Sequence, residues 1–256
     1  GLGYNIVNPA LLGRAFLVAS FPVLMTAGWW APMEHGPSRD DTWDQSGIPA
    51  ARLEESDVAT GATPLNLLQQ TYDWDAGAAE AAADEDAEQA RALQERAASA
   101  RTLLSSRETL ISLFLGRTGG CIGETSALML LLGATYLFFR KVLEPRLPLS
   151  YLGAVALFAW LFGGQGAFRG DPLFHLLSGG VVLGGFFMIT DMVTTPVTRK
   201  GRIIFGIGAG LITMIIRRWG GYPEGCSYCM LLMNLTTPLI DRYTKPRAFG
   251  EVRNNG

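Results

Sequence analysis

Six apolar stretches set the rhythm of the chain, and polar segments of two kinds separate them. The apolar stretches run over Pro9–Ala31, Ser126–Phe139, Tyr151–Phe168, Leu173–Thr190, Ile203–Ile216 and Cys226–Ile240. The second can be lengthened backwards through Cys121–Thr125. A membrane helix needs about 20 mostly apolar residues, so some of these are short. One such run alone reads as a buried soluble helix. Six in one chain, separated by short basic turns, predict an all-α polytopic membrane protein. Glycine-rich faces such as Phe205-Gly-Ile-Gly-Ala-Gly210 predict close helix contacts in lipid. Between the first and second runs lies a long polar segment. Its part from Trp74 to Arg107 is rich in Ala, Glu, Gln and Arg. These are good helix formers, which predicts a solvated helix or a disordered insert.

Charge sharpens this division. Residues 32–109 hold 16 of the 23 acidic residues and 6 of the 21 basic ones, a net charge of −10. The remaining residues are poor in charge and net basic, so the overall −2 conceals an apolar body and an acidic insert. Arg140, Lys141 and Arg146 follow the second run, Arg199, Lys200 and Arg202 the fourth, and Arg242, Lys245, Arg247 and Arg253 the sixth. Alternation places these ten on one side, the cytoplasmic one by the positive-inside rule. The opposite short loops carry Arg169, Arg217 and Arg218. The acidic segment then lies outside the cytoplasm. The domain reading is 1–31 as the end of a first membrane unit, 32–109 as the extracytoplasmic loop, 110–241 as a second membrane unit and 242–256 as a basic cytoplasmic tail. The start at Gly1, inside an apolar pattern, reads as a fragment with spans upstream. Disorder, a disulfide scaffold and a nucleic-acid groove are excluded by the apolar body, by three cysteines and by the lack of a basic run.

Candidate chemistry is sparse. His35 and His175 lack ligand-like neighbours, and no nucleophile elbow, phosphate loop or His-Glu-x-x-His is present. Cys226 and Cys229 form one CxxC pair where a tetrahedral metal site needs four ligands, so packing is the plainer reading. Asp57-Val-Ala-Thr60-Gly61-Ala62-Thr63-Pro64 precedes an apolar turn. Taken alone it is a capped turn, with Thr63 at the N-cap and Pro64 at the first helical position. Arg14, Glu124 and Asp191 lie at or beside membrane depth, where charge is costly and marks a site by default. Each also has a plain role: Arg14 pairing with a carboxylate, Glu124 capping a helix near Thr125, Asp191 capping a broken helix before Pro196.

Five blocks together carry a resemblance. Gly3-Tyr4-Asn5-Ile6-Val7-Asn8-Pro9-Ala10-Leu11-Leu12-Gly13-Arg14-Ala15-Phe16 resembles the family of the membrane subunits Rnf D and Nqr B, from ion-pumping flavin-containing electron-transfer complexes. Asp57 to Thr63 resembles the family's flavinylation motif, Asp-x-x-Ser/Thr-Gly-Ala-Thr. Gly119-Gly-Cys-Ile-Gly-Glu124-Thr-Ser126, Ile189-Thr-Asp191-Met-Val-Thr-Thr-Pro196-Val-Thr198, and Tyr222-Pro-Glu-Gly225 followed by Asn234 and Pro238-Leu-Ile-Asp241 resemble further family loops. The ending from Thr236 to Arg247 is more similar to Rnf D. The acidic insert matches nothing in that pattern.

The resemblance implies a fold of two five-helix repeats, of which this chain would hold the tail of the first and all of the second, about six spans. A weak echo between Asn8-Pro9-Ala10-Leu11 and Asn234-Leu-Thr-Thr-Pro238-Leu accords with repeats. It also implies FMN joined through its phosphate to the Thr63 hydroxyl, installed by a separate flavin transferase with FAD as donor. Gly61 and Ala62 leave room for that enzyme and for phosphate to approach backbone N–H groups. Thr60 keeps the hydroxyl of the family's Ser/Thr position, and Asp57 either holds the loop or assists the transfer. A second, non-covalent flavin such as riboflavin, or an ion path, would lie near Arg14, Glu124 and Asp191. The expected partners are Rnf A, Rnf B, Rnf C, Rnf E and Rnf G and the lipid bilayer, without nucleic acid. The expected activity is electron relay between ferredoxin and NAD coupled to Na+ or H+ movement across the bacterial inner membrane. Two rival readings are a non-redox solute channel and a structural anchor for flavin-bearing partners.

Overall fold

The computed structural model describes residues 5–21, 64–83, 86–117, 124–164, 168–220 and 225–244. Every regular element among them is helical. The helices are α1 (Pro9–Ser20), α2 (Pro64–Ala83), α3 (Ala87–Leu104), α4 (Arg107–Leu115), α5 (Ala127–Phe139), α6 (Arg146–Phe162), α7 (Pro172–Leu177), α8 (Val181–Leu183, continuing as a π-helical turn over Gly184–Met188), α9 (Arg199–Trp219) and α10 (Cys226–Thr244).

The body is built on the crossing of α6 and α9. On α9 the buried positions are Phe205 and Gly206, Ala209 and Gly210, Thr213 and Met214, then Arg217, a stripe at helical spacing. A Cβ on Gly206 would lie 2.0 Å from Ser150 Oγ, and one on Gly210 would lie 2.6 Å from Ala154 Cβ. The helices therefore touch backbone to backbone, as the glycine-rich face predicts. Tyr151, Val155 and Ala159 of α6 meet Phe205, Ala209 and Met214 of α9, and Cys226, Cys229, Met230 and Met233 of α10 complete this core. At its centre the Tyr151 hydroxyl lies 3.2 Å from Thr213 Oγ1 and 3.3 Å from Cys226 Sγ. The Cys226 thiol donates to the Gly180 carbonyl and the Cys229 thiol to the Cys226 carbonyl, so the CxxC pair is packed and hydrogen-bonded. No three metal-ligating side chains cluster among the described residues.

The fourth apolar run is not one helix. Asp171 caps α7 by accepting from the Leu173 and Phe174 amides, with Pro172 in the first turn. The chain breaks at Ser178–Gly180, where Gly179 takes φ +64°, and resumes as α8 and the π turn. Gly184 and Gly185 allow that wide turn to lie against α10 and α6: a Cβ there would meet Cys226 Sγ at 2.2 Å and Tyr151 Cδ1 at 3.1 Å.

The acidic insert is structured where it is described. Helices α2 and α3 form an antiparallel hairpin whose seam is small: Ala78, Ala81, Ala90 and Ala97 are buried, and Arg101 pairs with Asp75 across it. The hairpin sits on the body. Leu65, Leu68 and Tyr72 pack with Leu104, Leu113 and Phe174. The Tyr72 hydroxyl donates to the Gly163 carbonyl at 2.9 Å, and Gln69 donates to the Gly220 carbonyl at 2.8 Å. The Arg218 guanidinium lies 4.0 Å from the centre of the Tyr72 ring. Burial raises the Tyr72 hydroxyl pKa above 10.0, and the positive charge of Arg218 moderates the rise.

Among the described residues no helix is both long and apolar enough to cross a membrane. The reasons differ by element. Helix α5 is strongly apolar but has 13 residues, about 20 Å at 1.5 Å per residue. Helix α9 has 21 residues but carries Arg199, Lys200, Arg202, Arg217 and Arg218. Helix α10 has 19 residues interrupted by Asn234, Thr236, Thr237, Asp241 and Arg242. The described part of the first run ends at Phe21. The outward faces are nonetheless apolar: Met129, Leu132, Tyr136 and Phe139 on α5, and Ile203, Ile204, Ile207 and Ile215 on α9, are exposed. So are Leu232, Leu235 and Leu239 on α10.

Candidate functional site

Helix α1 gathers the charged candidates at two levels. Asn8 is its N-cap, and Asn8 Oδ1 accepts from the Ala10 and Leu11 amides. The other end of the same amide, Nδ2, donates to Asp191 Oδ2 at 3.2 Å. The Asn8 backbone N–H meets Asn234 Oδ1 at 3.2 Å once the Asn234 amide is oriented to donate to the Met230 carbonyl. Asn8 thus ties the start of α1 to the 190–198 loop and to the middle of α10. Asp191 also accepts from the Val193 amide and the Thr194 hydroxyl, which holds the loop before Pro196 in a tight turn.

Six residues on, about 9 Å along the axis, Arg14 Nη2 donates to Glu124 Oε2 at 3.0 Å. The Glu124 side chain is 5% exposed and that of Arg14 16%. Ser126, not Glu124, caps α5 by accepting from the Met129 amide. Glu124 serves the pair across the bundle instead. The Tyr228 hydroxyl donates to the Ala15 carbonyl, fixing this part of α1 against α10. The three charged candidates therefore all bear on one helix, Arg14 and Glu124 at one level and Asp191 at the other.

Asp57, Thr60, Gly61, Ala62 and Thr63 lie outside the described residues. Helix α2 begins at Pro64, the residue after Thr63, and its first turn contains no acidic residue. A helix start without carboxylates suits a phosphoryl group, because N–H groups and the helix dipole both face it.

Several groups that the sequence leaves unassigned have clear places. Arg217 is 2% exposed and donates to the His175 carbonyl at 2.7 Å and the Ser178 carbonyl at 2.9 Å. It closes the C-terminal end of α7, where helix carbonyls lack partners. Among the described residues His175 Nδ1, Ser178 Oγ, Arg217 Nε and Ser227 Oγ are buried without a hydrogen bond. A cavity of about 300 Å³ beneath the hairpin is lined by Leu68, Arg101, Gly163, Arg169, Asp171 and His175. The only sequence signal for the Arg217 cap is a pair of arginines on the side where basic residues are rare. Asn8 and Asn234, which echo one another in the sequence, are direct neighbours.

Broken helices, glycine seams, charge paired inside the bundle and apolar side chains outside define a class: a helical membrane-type body with its polar groups turned inward. The chain belongs to the NQR2, RnfD, RnfE family, whose model matches residues 1–250. It is 41% identical over 254 residues to the D subunit of the proton-translocating ferredoxin:NAD(+) oxidoreductase complex of Clostridium ljungdahlii, covering 99% of this chain and 64% of the relative. It is 43% identical over 252 residues to the D subunit of the Na(+)-translocating complex of Acetobacterium woodii, covering 98% and 61%. The D subunit of the ion-translocating oxidoreductase complex of Stutzerimonas stutzeri is 37% identical, over 98% of this chain and 65% of the relative. The chain thus spans somewhat under two thirds of the length of these curated relatives.

Proposed function

We propose that this chain is part of the D subunit of an Rnf-type ion-translocating ferredoxin:NAD(+) oxidoreductase complex, a multi-pass protein of the bacterial inner membrane. The observation that carries the reading is similarity over nearly the whole chain to relatives that are all named as the D subunit of such a complex. The coupling ion is Na+ or H+: relatives named for each ion are almost equally similar, at 43% and 41%. The apolar outer faces of α5, α9 and α10 support a lipid environment, since soluble monomers seldom expose such continuous apolar surface.

In this reading Thr63 carries FMN on the extracytoplasmic side. The threonine hydroxyl attacks the phosphate of FAD next to the flavin, a new P–O bond forms, and AMP leaves with the electrons of the broken pyrophosphate bond. A separate transferase performs this step. The acid-free first turn of α2 holds the resulting phosphodiester among its N–H groups. The flavin ring supplies the redox chemistry, and the protein supplies its position. Electrons then pass between partner subunits. Arg14, Glu124 and Asp191 line the ion path or a second, non-covalent flavin site. The Arg14–Glu124 pair suits either role, because a compensated charge pair within a bundle can exchange partners at low cost.

The test is intact mass and peptide mapping across Ser56 to Gln70 after co-expression with a flavin transferase. The expected result is one FMN less one water on Thr63, lost in Thr63→Ala while the protein stays in the membrane. An unmodified Thr63 sinks the redox reading and turns attention to the channel and anchor alternatives.

A further inference from the structure

At the opposite end of the body from the hairpin, the α5–α6 turn, the 190–198 loop and the first turn of α9 enclose a cavity of about 580 Å³. This is within the usual range for small-molecule sites. Its walls are of two kinds. Phe138, Met192 and Leu147 supply apolar surface, while Lys141, Glu144 and Arg202 supply charge.

The charges do not cancel. Glu144 pairs with both Arg146 and Arg202, and the Arg202 Nε also donates to the Pro196 carbonyl at 3.0 Å. Arg202 is thereby fixed at the cavity wall. Lys141 has no carboxylate partner among the described residues. One carboxylate thus stands against three cations.

Lys141 also occupies a position that suits glycine. The Val142 amide donates to the Leu137 carbonyl at 3.0 Å and the Lys141 amide to the Phe138 carbonyl at 2.9 Å. This is the closing turn of α5, with Lys141 at φ +56°. Glycine takes this left-handed conformation freely and a side chain does not. A lysine held there against its backbone preference points to use of its ammonium group.

The rim separates two kinds of anionic ligand. Phe139 is 82% exposed, Met192 83% and Val197 78%. Free phosphate would meet the cations and leave these walls against water. A phospholipid satisfies both, with its phosphate at the cations and its chains along the exposed Leu132, Tyr136 and Phe139 of α5. Basic pockets between helices at the cytoplasmic face commonly hold such headgroups.

We propose that this cavity binds the headgroup of one anionic phospholipid, with Lys141 and Arg202 on its phosphate. The proposal rests on the reading that the chain lies in a bilayer.

The test uses the whole complex, delipidated in mild detergent and titrated with dioleoylphosphatidylglycerol, dioleoylphosphatidylcholine or inorganic phosphate, with occupancy read by native mass spectrometry. Lys141→Gly removes the cation and at the same time relieves the backbone, so misfolding does not explain a loss of lipid. We expect one phosphatidylglycerol to be held above phosphatidylcholine, undisturbed by phosphate, and about fivefold more weakly by Lys141→Gly. Equal binding in Lys141→Gly, equal binding of phosphatidylcholine, or displacement by phosphate overturns the site. Release of the complex from membranes by alkaline carbonate overturns instead the membrane reading beneath it.

Discussion

Gly210→Ala isolates the contact on which the body is built. The new Cβ would stand 2.6 Å from Ala154 Cβ, and 3.0 Å from both the Tyr151 carbonyl oxygen and the Val155 amide nitrogen. None of these three atoms can rotate away. Carbon atoms rest at about 3.5–4 Å, so α6 and α9 must part by about 1 Å. A gap of that size forfeits a quarter to a half of each contact along the seam, which accords with the roughly 1–3 kcal/mol of measured overpacking. The gain in helix propensity from glycine to alanine offsets up to about 1 kcal/mol. A net loss of about 1–2 kcal/mol lowers the melting midpoint by about 2–8 °C in a protein of this size. The control is Gly153→Ala on α6, whose new Cβ meets nothing within 4 Å and should be neutral or stabilising. Gly208→Ala is intermediate, because it meets only the flexible end of Met233. Thermal melts of the detergent-solubilised complex rank the three. Equal midpoints for Gly210→Ala and Gly153→Ala would refute the backbone-to-backbone packing of α6 on α9.

Four further outcomes follow from the same geometry. Arg14→Leu or Glu124→Leu alone leaves one charge buried and should cost about 3–5 kcal/mol, while the double variant costs much less than the sum; additive losses in a double-mutant cycle would deny the pair. Asn8→Ala removes the α1 cap and a donor to Asp191 and should cost about 1–2 kcal/mol, whereas Asn8→Ser restores the cap but not the Asp191 bond; equal melts for Asn8→Ser and the wild type would show that only the cap matters. Tyr72 is held protonated by burial, so its contribution to hairpin docking is full below pH 10.0 and fades as pH rises through its higher folded pKa; protease nicking of the hairpin should therefore rise more steeply with alkaline pH in the wild type than in Tyr72→Phe. Arg217→Leu should open the break after α7 and expose Cys226, which donates to Gly180 in that break, to a maleimide that leaves the wild type unlabelled.

What the sequence makes legible is what depends on local pattern. The glycine face of α9, the capping proline of α2 and the helical composition of the insert are properties of neighbouring residues, and all three are present. What it hides depends on distant partners. Glu124 has the right type and place to cap α5, yet Ser126 does so and Glu124 turns to Arg14, 110 positions away. The run Leu173–Thr190 is apolar throughout apart from His175, and nothing in its hydropathy marks the break at Ser178–Gly180. That break is stable because Arg217 reaches it from α9. The insert gives no sign that its two helices fold on each other, since alanine seams resemble low complexity until the partner helix is in place.

The same long-range partners explain the two arginines that depart from the basic-inside pattern. Orientation is set during insertion, when each lysine or arginine counts whatever it later pairs with. Arg217 and Arg218 therefore weigh against the proposed topology, and a sequence selected for insertion alone would lack them. Each has a task in the folded state that a neutral residue cannot perform. Arg217 supplies two donors to the carbonyls at the end of α7, inside the protein, where an unsatisfied carbonyl costs about 1–3 kcal/mol. Arg218 lies over the Tyr72 ring and fastens the hairpin to the body. Ten basic residues against three still favour the orientation, so two can be retained for the fold. Arg218 also marks where the acidic hairpin must sit: on the face away from the basic loops, at the level where α2 begins directly after Thr63.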